Sequence, residues 1–310
     1  MSLLDEFRAL VVRHAGGGGQ RAVRVLDGVP LDAAHTPTVL DGVSLTAVRE
    51  PTLPIGTMAE PTFALVGQGV KRTTLNGTPY DCGTGQYLVV PVDLPVTGQA
   101  LRADADAPLV VFSMRLRPES IAPLLLETGA VPRAARPAGL AVGTAPPELL
   151  DPVVRLLRLL DHPDDLAVLA AGLQREILWR LITGDQGALV RRIGLADGHL
   201  AHIARAIRWI RTHYDQPLLV ADLAAVAGMS ESAFRRHFRA ATSMTPIEFR
   251  REIRLREARI LLGTRTADIA EIGYRVGYES ASQFNREYHR TFGISPGRDA
   301  VRLRSVTGRR

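Results

Sequence analysis

Residues Ile269–Pro296 read IAEIGYRVGYESASQFNREYHRTFGISP, and this stretch decides the fold of the C-terminal third of the chain. Its apolar residues follow the i, i+3, i+4 spacing of helices, and Gly277 interrupts them. A related stretch, Val220–Phe238, lies earlier in the chain and reads VADLAAVAGMSESAFRRHF. The sequence therefore predicts two copies of one unit, each made of a helix, a glycine turn and a second helix.

The two copies align residue by residue, at an offset of 49 up to the turn and of 50 after it. Ala224 and Gly273 occupy the same place in the first helix, where a small residue allows close helix approach. Gly228 and Gly277 suit the sharp turn, because glycine tolerates backbone conformations that other residues avoid. The second helix has an apolar side made of Phe234, Phe238 and Ala241 in one copy and of Phe284, Tyr288 and Phe292 in the other.

The opposite side of each second helix is polar. Its residues are spaced i, i+3, i+4 and i+7, so they share one helix face. They are Ser232, Arg235, Arg236 and Arg239 in the first copy and Ser282, Asn285, Arg286 and His289 in the second. In a major groove Arg can donate two hydrogen bonds to guanine, and Asn can pair with adenine. The alternative is an ordinary solvated helix face, and repetition inside a basic region favours DNA over it.

A long helix is predicted between the two copies. Thr245, Pro246 and Glu248 have the order of an N-terminal capping box with proline in the first turn, and Gly263 ends the run. About 17 residues at about 1.5 Å each give a rod of about 26 Å. Such a rod can hold two helices near one turn of DNA apart, about 34 Å. Ser280 with Gln283 predicts a further capping box at the start of the second polar helix.

The charge of the chain is unevenly placed. The net charge is +6, but residues 191–310 hold 22 Arg against 12 Asp and Glu, a balance of +10. The remainder, residues 1–190, is mildly acidic, with 16 Lys and Arg against 20 Asp and Glu. A basic C-terminal third indicates a polyanionic partner for one domain only, or else a solvated basic face.

Residues Val39–Leu116 carry the signals of strands, with short apolar segments separated by Gly, Pro and Asp. Asn76-Gly77 predicts a two-residue hairpin turn. Close spacing of short strands favours an antiparallel barrel or sandwich. Between Pro146 and Thr183 the spacing becomes helical, and the break at Asp161–Asp165 predicts an antiparallel helical hairpin that packs on its own barrel or forms a dimer interface.

Length and composition limit the class of protein. A chain of 310 residues with 46% hydrophobic and 23% charged residues is globular and has room for about two domains. No apolar run is long enough to cross a bilayer, and the first residues lack the pattern of a secretory signal. The single cysteine, Cys82, excludes an intrachain disulfide. We expect a cytoplasmic protein with no membrane partner.

The repeated stretch resembles the AraC/XylS family of bacterial transcription regulators. The likeness covers His199 to about Arg304 and is carried by GYESASQFNREYHRTFGISP. It implies seven helices forming two helix-turn-helix units, double-stranded DNA as partner, and RNA polymerase as a further candidate partner. The family's base-reading positions correspond to Ser232, Arg235, Arg236, Ala281, Ser282, Asn285 and Arg286. Ala281 departs from the pattern, because it offers no hydrogen bond.

A second resemblance covers Glu60–Gly98, which is similar to the N-terminal domain of one branch of the family. It implies a cupin-like barrel followed by helices that senses an effector and dimerises. We therefore expect an α+β chain in which residues 1–185 form this domain, with the barrel at about 36–118 and helices at about 119–184. Residues 186–198 would be a linker and 199–310 the all-α DNA-binding domain. Homodimerisation is expected through the 147–183 helices.

The resulting hypothesis is a sequence-specific, non-enzymatic transcription regulator controlled by a small molecule of unknown identity. We expect Arg235, Arg236, Asn285 and Arg286 to contact bases, and Arg239 and Arg290 to contact phosphates. A metal enzyme of the cupin type is disfavoured, because Val39–Leu116 contains no histidine, so neither a metal site nor a cofactor is expected. A barrel that binds no ligand stays open, and so does a sensing role for Cys82 that an unaffected Cys82→Ser variant would exclude.

Overall fold

The computed structural model describes residues 2–15, 25–26, 29–30, 38–128, 139–195, 198–264 and 268–307. The chain divides into two compact units, Met1–Ala201 and His202–Arg310, which we call the N-terminal and the C-terminal unit. The first combines antiparallel sheets with helices and the second is helical, so the predicted α+β class is confirmed. No helix in the described part of the chain is both long enough and apolar enough to cross a membrane.

Twelve strands are described in the N-terminal unit, and antiparallel pairing joins them into sheets. They are β1 (Val25–Leu26), β2 (Val29–Pro30), β3 (Thr38–Leu40), β4 (Val43–Val48), β5 (Ile55–Ala59), β6 (Thr62–Gln68), β7 (Val70–Leu75), β8 (Thr78–Gly83), β9 (Gln86–Val90), β10 (Leu94–Arg102), β11 (Leu109–Arg115) and β12 (Ala141–Thr144).

The strands form a six-stranded sheet, ordered β12-β9-β6-β11-β4-β3, and a four-stranded sheet, ordered β5-β10-β7-β8, besides the short pair β1-β2. Strand β8 contacts β6, β9 and β12, so the two larger sheets meet along this edge. The described strands thus pair into two larger sheets, which agrees with the antiparallel barrel or sandwich that the sequence predicted. Their pairing does not close into the cupin-like barrel that the family resemblance implied. The predicted turn joins β7 to β8, and both Asn76 and Gly77 have positive φ, as such a hairpin requires.

Five helices are described beside the sheets. They are α1 (Leu3–Ala15), α2 (Pro118–Thr128), α3 (Pro147–Arg158), α4 (Pro163–Thr183) and α5 (Gly187–Gly194). Helix α1 covers one face of the six-stranded sheet, where Gly67 leaves room for the Phe7 ring. Helices α3 and α4 form the predicted hairpin, and a short 3-10 turn, Leu159–Asp161, joins them.

The predicted linker, residues 186–198, differs from the structure. Its first half is α5, whose Leu189, Val190 and Ile193 are buried. This helix packs against α2 and α4 and so belongs to the N-terminal unit. The glycines and charged residues around the segment hid a short amphipathic helix, because two turns give too few residues for a clear period.

Seven helices are described from residue 198 onward, the number that the family resemblance implies. They are α6 (His199–Thr212), α7 (Val220–Ala227), α8 (Glu231–Thr242), α9 (Pro246–Thr264), α10 (Ile269–Arg275), α11 (Ala281–Phe292) and α12 (Pro296–Thr307). Helices α7–α8 and α10–α11 are the two predicted copies, and α9 is the rod between them. The rod has 19 residues, so it is about 28 Å long.

Candidate nucleic-acid interface

The two polar helices, α8 and α11, begin in the same way. A glycine in the left-handed region precedes each of them: Gly228 has φ +65° and Gly277 has φ +92°. A serine then caps the helix, since Ser230 Oγ accepts a hydrogen bond from the Ala233 N–H at 3.4 Å and Ser280 Oγ accepts one from the Gln283 N–H at 3.2 Å. The repeat in the sequence is thus a repeat in backbone geometry.

Only one of the two predicted capping boxes forms completely. At the start of α9 the Thr245 N–H donates to the Glu248 carboxylate at 2.8 Å, and the Glu248 N–H donates to the Thr245 hydroxyl at 3.3 Å. At Ser280 the return bond is missing, because the Gln283 amide donates to Glu287 at 3.5 Å instead. The prediction for Ser280 and Gln283 was therefore half right.

Aromatic side chains fix the orientation of both helices. Phe234, Phe238, Phe284 and Tyr288 have no exposed surface. Phe238 meets Phe249 of α9 edge-on with ring centroids 5.5 Å apart, and Phe284 meets Tyr288 at 5.6 Å. Because these apolar sides are locked into the C-terminal unit, the polar sides cannot rotate inward without opening the core.

The predicted contact residues lie on the surface, with one exception. Exposed on α8 and α11 are Ser232, Arg235, Arg236, Arg239, Ser282, Asn285, Arg286, His289 and Arg290. Ala281 is half-buried at the first turn of α11, so it presents little surface to any partner. Two matching polar faces are therefore available on the C-terminal unit.

The arginines on these faces differ in the hydrogen bonds that they form within the protein. Arg235 donates to Glu231 at 3.0 Å within its own helix, and Arg236 lies 3.3 Å from His237 Nε2. The Arg235 pair is exposed, and such pairs contribute little, so a phosphate or a base can replace Glu231. The side chains of Asn285 and Arg286 have no hydrogen-bond partner among the described residues. They are therefore ready to bind without first breaking a contact.

A buried ionic cluster packs behind α11, and no local pattern in the sequence predicts it. Asp299 of α12 is fully buried. It accepts hydrogen bonds from Arg259 Nε of α9 at 2.9 Å and from the Tyr288 hydroxyl at 2.7 Å. Burial, and then the Asp299 charge, raises the pKa of Tyr288, so this hydroxyl stays a donor. The cluster joins α9, α11 and α12 at one point.

Arg254 of α9 joins the two copies, which the sequence also did not predict. Its guanidinium donates to the carbonyl oxygens of Tyr214 at 2.6 Å and of Asp215 and Gln216 at 3.2 Å each. That segment leads into α7 of the first copy. The same guanidinium lies 5.8 Å from the Tyr278 ring, just after the turn of the second copy. The Arg254 side chain thus contacts both the segment that precedes α7 in the first copy and the residue that follows the turn in the second copy.

Cys82 and His202 have ordinary structural places. Burial raises the pKa of the buried Cys82 thiol to about 11, although the nearby Lys71 opposes this. The adjacent Asp81 pairs with Arg72 at 2.6 Å. His202 Nδ1 lies 2.6 Å from the Ala227 carbonyl, at the end of α7. In the described residues no three His, Cys, Asp or Glu side chains are grouped to hold a metal ion.

Comparison with known proteins agrees with this architecture. Residues 39–189 match the family model of the AraC-type transcriptional regulator N-terminus, and residues 223–300 match a helix-turn-helix domain. Over 161 residues the chain is 28% identical to the HTH-type transcriptional activator RhaS of Salmonella paratyphi A, covering 49% of this chain and 56% of RhaS. Over 155 residues it is 22% identical to the uncharacterized HTH-type regulator YdeC of Bacillus subtilis, covering 48% of this chain and 50% of YdeC.

These matches span about half the length of the curated relatives. Among solved structures, ToxT from Vibrio cholerae superimposes with a TM-score of 0.52 at 10% identity, over 84% of this chain and 98% of ToxT. At that identity the likeness concerns the fold. It extends over both the sheet-containing and the helical part of the chain.

Proposed function

The chain belongs to the AraC family of transcription regulators, and we propose that it binds specific DNA sequences through α8 and α11. The observation that carries this proposal is the pair of exposed polar faces, each backed by a fully buried aromatic side. Two such faces, attached near the ends of a rod of about 28 Å, suit two successive major grooves on one side of a duplex.

Each polar face divides by the chemistry of its side chains. We assign base contacts to Arg235, Arg236, Asn285 and Arg286, which lie toward the start of each helix. We assign phosphate contacts to Arg239, Arg290 and His289, nearer the ends, with Ser232 and Ser282 available to either. The balance of +10 in residues 191–310 supplies the long-range attraction, so binding should weaken as salt rises.

Regulation would come from the N-terminal unit, where we propose that a small molecule binds. ToxT has been solved with (E)-4-(8-methylnaphthalen-1-yl)but-3-enoic acid bound, which is a precedent in a protein of similar fold. Binding would shift the chain between arrangements that differ in DNA affinity.

For assembly we propose a homodimer through α3 and α4, since Val168 and Leu169 of α4 are 76% and 51% exposed. The site of action would be the cytoplasm, where bacterial DNA lies.

Replacing Arg286 with alanine tests the assignment of bases. We expect DNA affinity to fall by about 1–3 kcal/mol and preference to relax at one base pair, because a bidentate contact to one base is lost. The measurement is affinity selection from random-sequence duplexes, followed by titration of single-base variants of the selected site.

Arg290→Ala, one turn further along α11, is the matched control. If Arg290 contacts a phosphate, this variant should bind all DNA sequences more weakly by the same factor. The slope of log affinity against log salt concentration should become smaller by about one. If Arg286→Ala instead weakens all sequences equally, Arg286 is a phosphate contact and the assignment is wrong. If neither variant changes binding, α11 does not contact DNA.

A further inference from the structure

The buried face of the four-stranded sheet carries a lysine. Lys71 of β7 stands opposite Cys82 of β8 and opposite Ala100 of β10. Directly paired residues in an antiparallel sheet project from the same face. Cys82 and Ala100 are 2% and 4% exposed, so Lys71 projects from the face that the unit buries.

The described part of the chain places no counter-charge beside this ammonium group. Lys71 forms no hydrogen bond or ion pair with any residue that the structure describes. Its neighbour Arg72 projects from the opposite face, where it pairs with Asp81. Burial lowers the pKa of Lys71, and the interaction with Cys82 opposes this shift. Next along the same face of β7 come Thr73 and Leu75, which are both buried and uncharged.

The same face has open space beside the lysine. Gly98 of β10 stands opposite Thr73, so it lies next to Lys71 on the sheet. A methyl group added at Gly98 would meet no atom within 4 Å, although the residue lies in the middle of a strand. Val96 and Ala100, on either side of Gly98 on this face, are buried. The space above Gly98 is therefore unfilled, and we call it the recess. Lys71 neighbours it diagonally on the sheet, and apolar side chains flank it along β10.

Lys71 itself is half-buried. A charge that is partly removed from water and has no partner is unfavourable, and a ligand that supplies the opposite charge removes this cost. We propose that the recess between Lys71 and Gly98 binds a small organic acid, with the Lys71 ammonium as the counter-charge of its carboxylate. The acid's apolar part would lie against Val96 and Ala100. This proposal rests on the proposed function, because the acid would be the effector that binds the N-terminal unit.

The ligand-free protein gives the first test. Lys71→Met keeps the length of the side chain and removes its polar group, so we expect the melting temperature to rise by about 2 °C or more. Lys71→Arg keeps the charge and should give no such rise. A fall in melting temperature with Lys71→Met would show that the protein itself stabilises the ammonium group, which would overturn the proposal.

Acids and their neutral amides give the second test. Benzoate and octanoate at about 10 mM should raise the melting temperature of the full chain, because a ligand that binds the folded state stabilises it. Benzamide and octanamide should not, and Lys71→Met should abolish the effect of the acids. The proposal is overturned if neither acid shifts the wild type, or if Lys71→Met keeps the shift.

These measurements contain no DNA, so they are independent of the assignment of α8 and α11. Selection of duplexes by the Lys71→Met variant without added acid should recover the wild-type site. Failure of the thermal tests with normal DNA selection would remove the acid site alone and favour an N-terminal unit used for assembly. Failure of DNA selection with positive thermal tests would remove the proposed function alone.

Discussion

Asp299→Ala is expected to lower the free energy of unfolding of the C-terminal unit by about 3–5 kcal/mol, the range for removing one partner of a buried ion pair. Asp299 is fully buried, whereas Arg259 keeps 24% of its side chain exposed. The variant leaves a guanidinium and a phenol hydroxyl without their acceptor inside the protein. Urea unfolding, followed by far-ultraviolet circular dichroism, measures the loss.

Two further variants separate the parts of this cluster. Tyr288→Phe removes one hydrogen bond to a charged group and should have a smaller effect, about 1.5–3 kcal/mol. Glu271→Ala removes an exposed acid from α10 and should change stability by no more than about 0.5 kcal/mol. A loss below about 1 kcal/mol for Asp299→Ala would contradict a supporting role for the cluster.

The second large effect is expected at the turn of the second copy. Gly277→Ala should lower the free energy of unfolding by about 3–4 kcal/mol. With φ at +92° an alanine is strained there. In addition, its Cβ would overlap the Asp215 carbonyl oxygen and lie 2.6 Å from Arg254 Nη2, so the link between the two copies must shift.

The first copy supplies the matched control, because Gly228 holds the same place in its turn. Its φ is +65°, and the nearest atom to an added Cβ is His202 Nδ1 at 3.7 Å, which is ordinary contact. Gly228→Ala should therefore show the backbone strain alone, about 1–2 kcal/mol. Urea unfolding of both variants gives the difference. Equal losses would mean that the contact between Gly277 and the Arg254 region adds nothing.

The sequence allowed the repeated unit to be predicted because its signals are local. Helical spacing, the turn glycines and the capping serines each depend on residues within a few positions of one another. The structure gives Gly228, Gly277 and Ser280 the roles that this pattern indicates, and Ser230 caps α8 as Ser280 caps α11. The exposed side of α8 and α11 follows from the same spacing, since buried aromatics on one side leave the other side outward.

The contacts that hold the polar helices in place could not be predicted, because they join residues that are far apart in the chain. Asp299 stands among small and basic residues, and nothing near it indicates Arg259, forty positions earlier. Arg254 follows the pattern of an exposed arginine on a long helix, yet it binds carbonyl oxygens near Gln216. The inward direction of Lys71 likewise follows from pairing with β8 and β10, which a single strand does not reveal.

The most direct test of the central claim maps both polar helices on DNA. A cleavage reagent is attached to Ser232→Cys or to Ser282→Cys in a Cys82→Ala background, which leaves one thiol in each protein. Bound to the selected duplex, each protein should cut at one position per bound protomer. Within one protomer's site the two positions should lie in major grooves about one helical turn, roughly 10 base pairs, apart. Cuts half a turn apart, or localised cutting from one of the two helices alone, would contradict simultaneous binding of both copies to one side of the duplex.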